Sequence, residues 1–156
     1  MSMNTPSNLT LPARKALARK HTLEMWQKKW DESSNGRWTQ RLIPNIEKWI
    51  SRPHGEVNFH LTQMLTGHGC FRSYLKRFNH EELDVEHVLF HCPRFDLDRN
   101  HIRSVFGEHP TPENMVVHMI ESVEKWEAVN NAVTHILTQL RRDEQRRNGR
   151  HITTPR

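Results

Sequence analysis

The sequence predicts an all-α protein, mainly helical: one small domain with flexible ends. Three observations lead there. Apolar residues recur three and four positions apart through most of the chain, the spacing that lines one face of a helix. Prolines, glycines and capping residues punctuate those runs where helices start and stop. No segment alternates apolar and polar residues in the way that supports a sheet.

Residues 1–10 are polar and expected to be disordered. Leu11 to Glu32 reads as a helix with Leu17, Leu23, Trp26 and Trp30 near one face; Arg14, Lys15, Arg19, Lys20, Lys28 and Lys29 occupy much of the rest. The turn SSNG (33–36) ends it. Pro44 can open a short helix carrying Ile46, Trp49 and Ile50. After the loop SRPHG (51–55), residues 57–69 place Val57, Leu61, Met64 and Leu65 on one face and stop at Gly67 and Gly69. Phe71, Tyr74, Leu75 and Phe78 suggest a further short helix, followed by the polar connector NHEELD (79–84). Val85 to Phe90 is an apolar run too short for periodicity to distinguish strand from helix. Phe95 to Phe106 is helical in pattern, with Leu97, Ile102, Val105 and Phe106 inward. TPEN (111–114) supplies a capping threonine, a first-turn proline and an acid near the positive end of the helix dipole. Two helices follow, or one bent near Glu121–Lys125. Their inward residues are Met115, Val116, Met119, Ile120, Trp126, Val129, Val133, Ile136, Leu137 and Leu140. From Arg141 the pattern gives out. The helical domain should span 11–142, and 143–156 should form a basic disordered tail. No internal repeat is visible.

The 156 residues suffice for one modest core, and 35% apolar against 26% charged is lean for a globular chain. Lys plus Arg number 23 against 18 carboxylates, a net charge of +5 that favours polyanionic partners. The start MSMNTPSNLTLPARK lacks the apolar run of a secretory signal, and no later window approaches a membrane span. An intracellular setting, nucleus or cytoplasm, is expected, with no membrane partner. Nothing favours a disulfide between Cys70 and Cys92, and Cys70 reads as a small buried hydrophobe.

No catalytic residues are assigned. Hydrolysis needs a nucleophile beside a base, and magnesium-dependent polymerisation needs clustered carboxylates. Asp84, Asp96 and Asp98 form no such pattern, and no glycine-rich phosphate loop occurs. Zinc is the one cofactor to consider. His87 and Cys92 in HVLFHCPRF have the spacing of one ligand pair. A full site would need Cys70, His87, Cys92 and one of His68, His80 or His91. Two ligands do not hold zinc, so packing or hydrogen bonding of His87 and Cys92 is the favoured reading. GRWTQR and FRSYLKRF alternate arginines with aromatics, as nucleic-acid surfaces do, although an ordinary helix with a solvated face shows the same pattern. The residues assigned to phosphate contact are Arg37, Arg41, Arg72, Lys76, Arg77, Arg141, Arg142, Arg146 and Arg147, within a basic stretch reaching Arg150.

The stretches GRWTQRLIPNIEKWI, HGEVNFHLTQMLTGHGCFRSYLKRF and VEHVLFHCPRF, in that order, resemble the C-terminal end of the second-open-reading-frame polyprotein of type-1 non-LTR retrotransposable elements, which insert into ribosomal RNA genes. The resemblance runs from about Arg14 to Arg147. It implies a segment lying after an endonuclease and a reverse transcriptase, in a zinc-knuckle region. The chain resembles that last part alone, and the catalytic residues of both enzymes have no counterpart in it. The family carries a C-x2-C segment before the His87–Cys92 pair; here only NHEELD stands there, so 79–95 is a degenerate knuckle. The expected role is non-catalytic binding of RNA or target DNA during target-primed reverse transcription, beside the upstream polymerase domain. The alternatives are an interaction or scaffold fragment, self-associating through Trp26, Trp30 or Trp126, and a decayed reading frame.

Overall fold

The computed structural model describes residues 8–71 and 85–150. Among them the regular elements are all helical. They are α1 (Leu11–Glu32), α2 (Arg37–Leu42), α3 (Ile46–Ile50), α4 (Phe59–Thr66), a π-helical turn (His87–His91), a 3-10 turn (Pro93–Phe95), α5 (Asp96–Phe106), α6 (Met115–Met119) and α7 (Val123–Arg150). Residues 1–7, the expected helix beyond Phe71, the 79–84 connector and 151–156 lie outside the described residues.

The 28-residue α7 is the central post, about 42 Å long at 1.5 Å per residue. Trp126, Val129, Val133, Ile136, Leu137 and Leu140 are all buried along one side of it, and α4, α5 and α6 pack against that side. The core continues through Leu42, Leu61, Met64, Phe71, Val88, Leu89, Phe95, Met115 and Met119. Asp98 accepts from His135 Nδ1 at 2.9 Å and Arg94 pairs with Asp143 at 2.7 Å, so α5 and the turn before it are tied to α7 at two levels.

Local chemistry sets the element ends. Thr10 caps α1 by accepting from the Ala13 amide, with Pro12 in the first turn. Asn45 and Asn58 cap α3 and α4 in the same way. Gly67 ends α4 in the left-handed region, φ 69°. The last carbonyls of α4 are met by α2: Trp38 Nε1 donates to Met64 O at 2.7 Å and Thr39 Oγ1 to Leu65 O at 2.8 Å. At the start of α6, Thr111 and Asn114 exchange backbone-to-side-chain bonds, each amide donating to the other's side chain. The chain bends at Ile120–Ser122 and re-enters as α7, so two helices form there.

The loop 51–55 is clamped by aromatic stacking. Trp49 and Trp126 stack at 5.8 Å, and the Arg52 guanidinium lies 4.0 Å from the Trp49 ring centroid. Gly55, at φ 85°, presses its backbone onto Trp126; a β-carbon there would sit 2.3 Å from the indole.

Several sequence expectations change. Helix α1 has the bounds its periodicity predicts, but none of its residues is buried; Leu17 is 44% and Trp26 54% exposed. Only its last turns dock. Trp30 Nε1 donates to Ile43 O, Gln27 Nε2 donates to Pro44 O, and Gln27 Oε1 accepts from the Ile46 amide. Val57 precedes α4 and is exposed, as is Ile50, and Leu97 is exposed at 84% because it lies on the solvent side of α5. The chain does not fray at Arg141. Helix α7 runs on to Arg150, because Arg, Gln and Glu are good helix formers and the end continues an anchored helix.

The turn containing HVLFHC is held by a buried cation. Arg99, 6% exposed, is the one buried charged side chain among the described residues. Its guanidinium donates to the carbonyls of Leu89 and Cys92 and pairs with the Asp96 carboxylate. Replacing it with methionine keeps the apolar stem but strands the Leu89 carbonyl and leaves that of Cys92 with the Phe95 amide alone, at 3.1 Å. Arg99→Met should cost about 1–3 kcal/mol, the scale of one buried acceptor left unpaired. Urea unfolding of the variant beside the parent checks this; a midpoint within error of the parent's would refute the clamp.

Candidate nucleic-acid interface

The His87–Cys92 spacing has a backbone meaning. The Cys92 amide donates to His87 O at 2.7 Å, the i to i+5 bond that closes the π-helical turn. Val88, Leu89 and Phe90 between them are buried, and Cys92 belongs to the core. Cys70 sits elsewhere, half-buried against α7 with its thiol 3.7 Å from Leu137 O. Burial pushes that thiol up from its ordinary value, which keeps it protonated and a poor metal ligand. His68 is exposed, His91 is exposed 3.8 Å from Glu86, and His80 lies outside the described residues. Among the described residues no three His, Cys, Asp or Glu side chains gather as a metal site. Among the described residues, Cys70, His87 and Cys92 therefore do not gather as one site.

The basic residues fall into two sets. Arg41, expected to meet phosphate, instead bridges two carboxylates: it lies 2.6 Å from Glu86 and 2.6 Å from Glu113, joining α2 to the π turn and to the lead-in of α6. Hydrogen bonds to Glu86 and then Glu113 hold the guanidinium well above its ordinary pKa. Its role is structural. The other set faces solvent. Arg37 is exposed at the first position of α2; Arg141, Arg142 and Arg146 are exposed on α7. Arg142 and Arg146, four residues apart, share one face beyond the last core residue, Leu140. Arg147 is half-buried and donates to the Asp143 carbonyl one turn back. Arg141 overhangs an open hollow of about 270 Å³ lined by Phe59, His60, Gln63, Cys70 and Leu137. Arg72, Lys76 and Arg77 lie outside the described residues.

What this surface offers is fixed positive charge on a rigid helical rod, suited to phosphate contacts. Sequence reasoning found the arginines of α7 but not that they are presented by an ordered helix. It could not see the diversion of Arg41, whose partners stand 45 and 72 residues away.

Three curated relatives match this chain. A Retrovirus-related Pol polyprotein from type-1 retrotransposable element R1 of Bradysia coprophila is 28% identical over 92 residues, 53% of this chain and 9% of that protein. A second such polyprotein, from element R1 2 of Nasonia vitripennis, is 32% identical over 88 residues, 49% of this chain and 21% of its own length. A putative 115 kDa protein in type-1 retrotransposable element R1DM of Drosophila melanogaster is 32% identical over 68 residues, 43% of this chain and 7% of that protein. The chain resembles a segment of a retrotransposon Pol polyprotein. It spans about a fifth or less of the length of these relatives. No family model and no solved structure matches. No helix among the described residues is long and apolar enough to cross a membrane.

Two measurements test this geometry. A chelator added to the purified chain should leave its melting temperature unchanged; a drop reversed by stoichiometric zinc would restore a metal site to it. The second concerns pH. The hydrogen bond from Arg41 holds Glu86 below the ordinary value of 4.5, against an opposing push from burial. A depressed carboxylate contributes stability above its unfolded value and loses it as pH falls through the folded value. Stability should therefore decline below about pH 4.5. Glu86→Gln should cost about 1 kcal/mol at neutral pH, the scale of a partly exposed ion pair, and the gap to the parent should close in acid. A gap that persists in acid would refute this assignment.

Proposed function

We propose that this chain is a non-catalytic nucleic-acid-binding segment of a retrotransposon-derived reverse-transcriptase polyprotein. It would help grip RNA or target DNA beside the upstream polymerase domain during target-primed reverse transcription. The observation that carries the reading is the arginine face of α7. Arg142 and Arg146 are held in solvent by a helix anchored in the core, and the net charge of +5 adds a favourable field. The similarity to Pol polyproteins gives that charge a context. Arg37 extends the surface at α2, and Arg72, Lys76 and Arg77 are proposed to add to it.

Exposed apolar side chains on α1, with Met25 at 49% and Trp26 at 54%, favour a second reading, an interaction or scaffold fragment. Trp126 cannot serve there, being 2% exposed beneath the 51–55 loop.

Phosphate binding by counterion release makes affinity fall linearly on a log–log plot against salt. Arg142→Ala with Arg146→Ala should flatten that slope by about 1.4–1.8, at roughly 0.7–0.9 for each phosphate no longer neutralised. Fluorescence anisotropy with labelled RNA and DNA across a salt series checks this. A salt-independent affinity, or a slope unaltered by the double substitution, would remove the mechanism. The purified chain should add no nucleotides to a primed template.

A further inference from the structure

We propose that the first half of α1 is a second nucleic-acid element, an arm that lies in the major groove of duplex DNA. The inference rests on the nucleic-acid reading above but uses a different surface. Helix α1 is 22 residues long, about 33 Å, and only its last turns dock, through Gln27 and Trp30. From Leu11 to Lys20 every side chain except that of Ala13 is exposed. A helix of this length without tertiary support is only marginally stable in water. Yet this one is equipped to start cleanly, with the Thr10 cap and Pro12 in its first turn. A preformed, uncovered helix implies something that covers it.

Charge identifies the occupant. No Asp or Glu occurs before Glu24, while Arg14, Lys15, Arg19 and Lys20 all fall in the first half of α1. At about 100° per residue these cations do not share one face. Lys15 and Arg19 lie close together, Lys20 about 100° farther round, and Arg14 on another side, reaching back to the Leu9 carbonyl at 3.1 Å. Of the exposed apolar residues, Leu17 and Trp26 lie on opposite sides of the helix, with Met25 and Leu11 between them. A membrane surface or a partner helix would select one narrow apolar stripe with the charge kept opposite, whereas on α1 the apolar residues spread over about half the circumference and the cations lie between them. A groove walled on both sides by phosphate suits charge on several sides of a rod. The small Ala13, Ala16 and Ala18 leave room for close approach. Helix diameter then separates the duplexes: about 10–12 Å fits the B-form major groove, whereas the A-form RNA groove is too narrow.

The test uses the full chain, a triple variant (Lys15→Ala, Arg19→Ala, Lys20→Ala) and the Arg142→Ala/Arg146→Ala variant. Each is titrated with a DNA duplex, the RNA duplex of the same sequence and single-stranded RNA over a salt series. Alanine favours helix, so circular dichroism should show the triple variant folded. The triple variant should lose about tenfold or more in DNA-duplex affinity, with the salt slope reduced by about 2–3, while RNA binding changes little. DNA-duplex binding that persists unchanged in the triple variant overturns the arm and leaves the α7 surface standing. An equal loss on both duplexes also overturns it, as does parental self-association abolished by Trp26→Ala, which would make a second copy the occupant. If the parent binds none of the three nucleic acids at low salt, the underlying reading and the arm both fall.

Discussion

The buried guanidinium of Arg99 is the contact on which the rest of this small fold leans. A π-helical turn widens the backbone spiral and leaves carbonyls that the usual i to i+4 ladder would have used. Here the Leu89 carbonyl lies among buried apolar residues, and the Cys92 carbonyl also accepts from the Phe95 amide at 3.1 Å. Arg99 reaches Leu89 and Cys92 from the second turn of α5, with Asp96 balancing its charge from one turn earlier. One side chain thus makes the π turn compatible with burial and sets its position relative to α5. Asp98 and Arg94 then carry that position onto α7 through His135 and Asp143.

The cations of the chain divide by what lies opposite them. Arg41 and Arg94 face carboxylates across the fold, and Arg99, paired with Asp96 in its own helix, holds the π turn through its carbonyls. Arg142 and Arg146 lie past the last core residue, and Lys15, Arg19 and Lys20 lie before the first carboxylate of the sequence, Glu24. Charge that closes the fold is screened little, because it is paired at short range. Charge left in solvent is governed by ionic strength, with a Debye length of about 8 Å under physiological salt. The same residue type therefore does two kinds of work, separated by its distance from the core. That separation is why the net charge alone, +5, describes neither.

How much could be read from the sequence follows the range of the interaction responsible. The end of helix α1 was legible because its stop at SSNG is local, and the inward face of α7 because its apolar positions keep one period over several turns. The exposure of α1 was not, since Leu17 and Trp26 are apolar residues on a helix with nothing to pack on. Leu97 misled for the same reason: an apolar residue on a helix marks a core only when a partner stands opposite. The end of α7 misled in the other direction. A basic, polar stretch reads as a tail, yet a helix already anchored needs only propensity to continue. In the candidate interface, Arg142 and Arg146 were legible from composition, while the commitment of Arg41 to Glu86 and Glu113 depends on contacts across 45 and 72 residues.

The His87–Cys92 pair shows how one spacing can serve two chemistries. Five residues apart is a distance at which two side chains can reach a common metal, and it is also the interval closed by a π-helical hydrogen bond. The described structure uses the second. Cys92 contributes its amide, its carbonyl and an apolar thiol to the fold. A turn held by such bonds requires no metal to persist. Its cohesion comes from buried Val88, Leu89, Phe90 and Phe95 and from one arginine, all encoded within thirteen consecutive residues, 87–99. That locality lets the HVLFHCPRF block keep its shape where a C-x2-C segment does not stand before it. The surface arginines on α7 depend on that block through the packing of α5 and the Arg94–Asp143 pair.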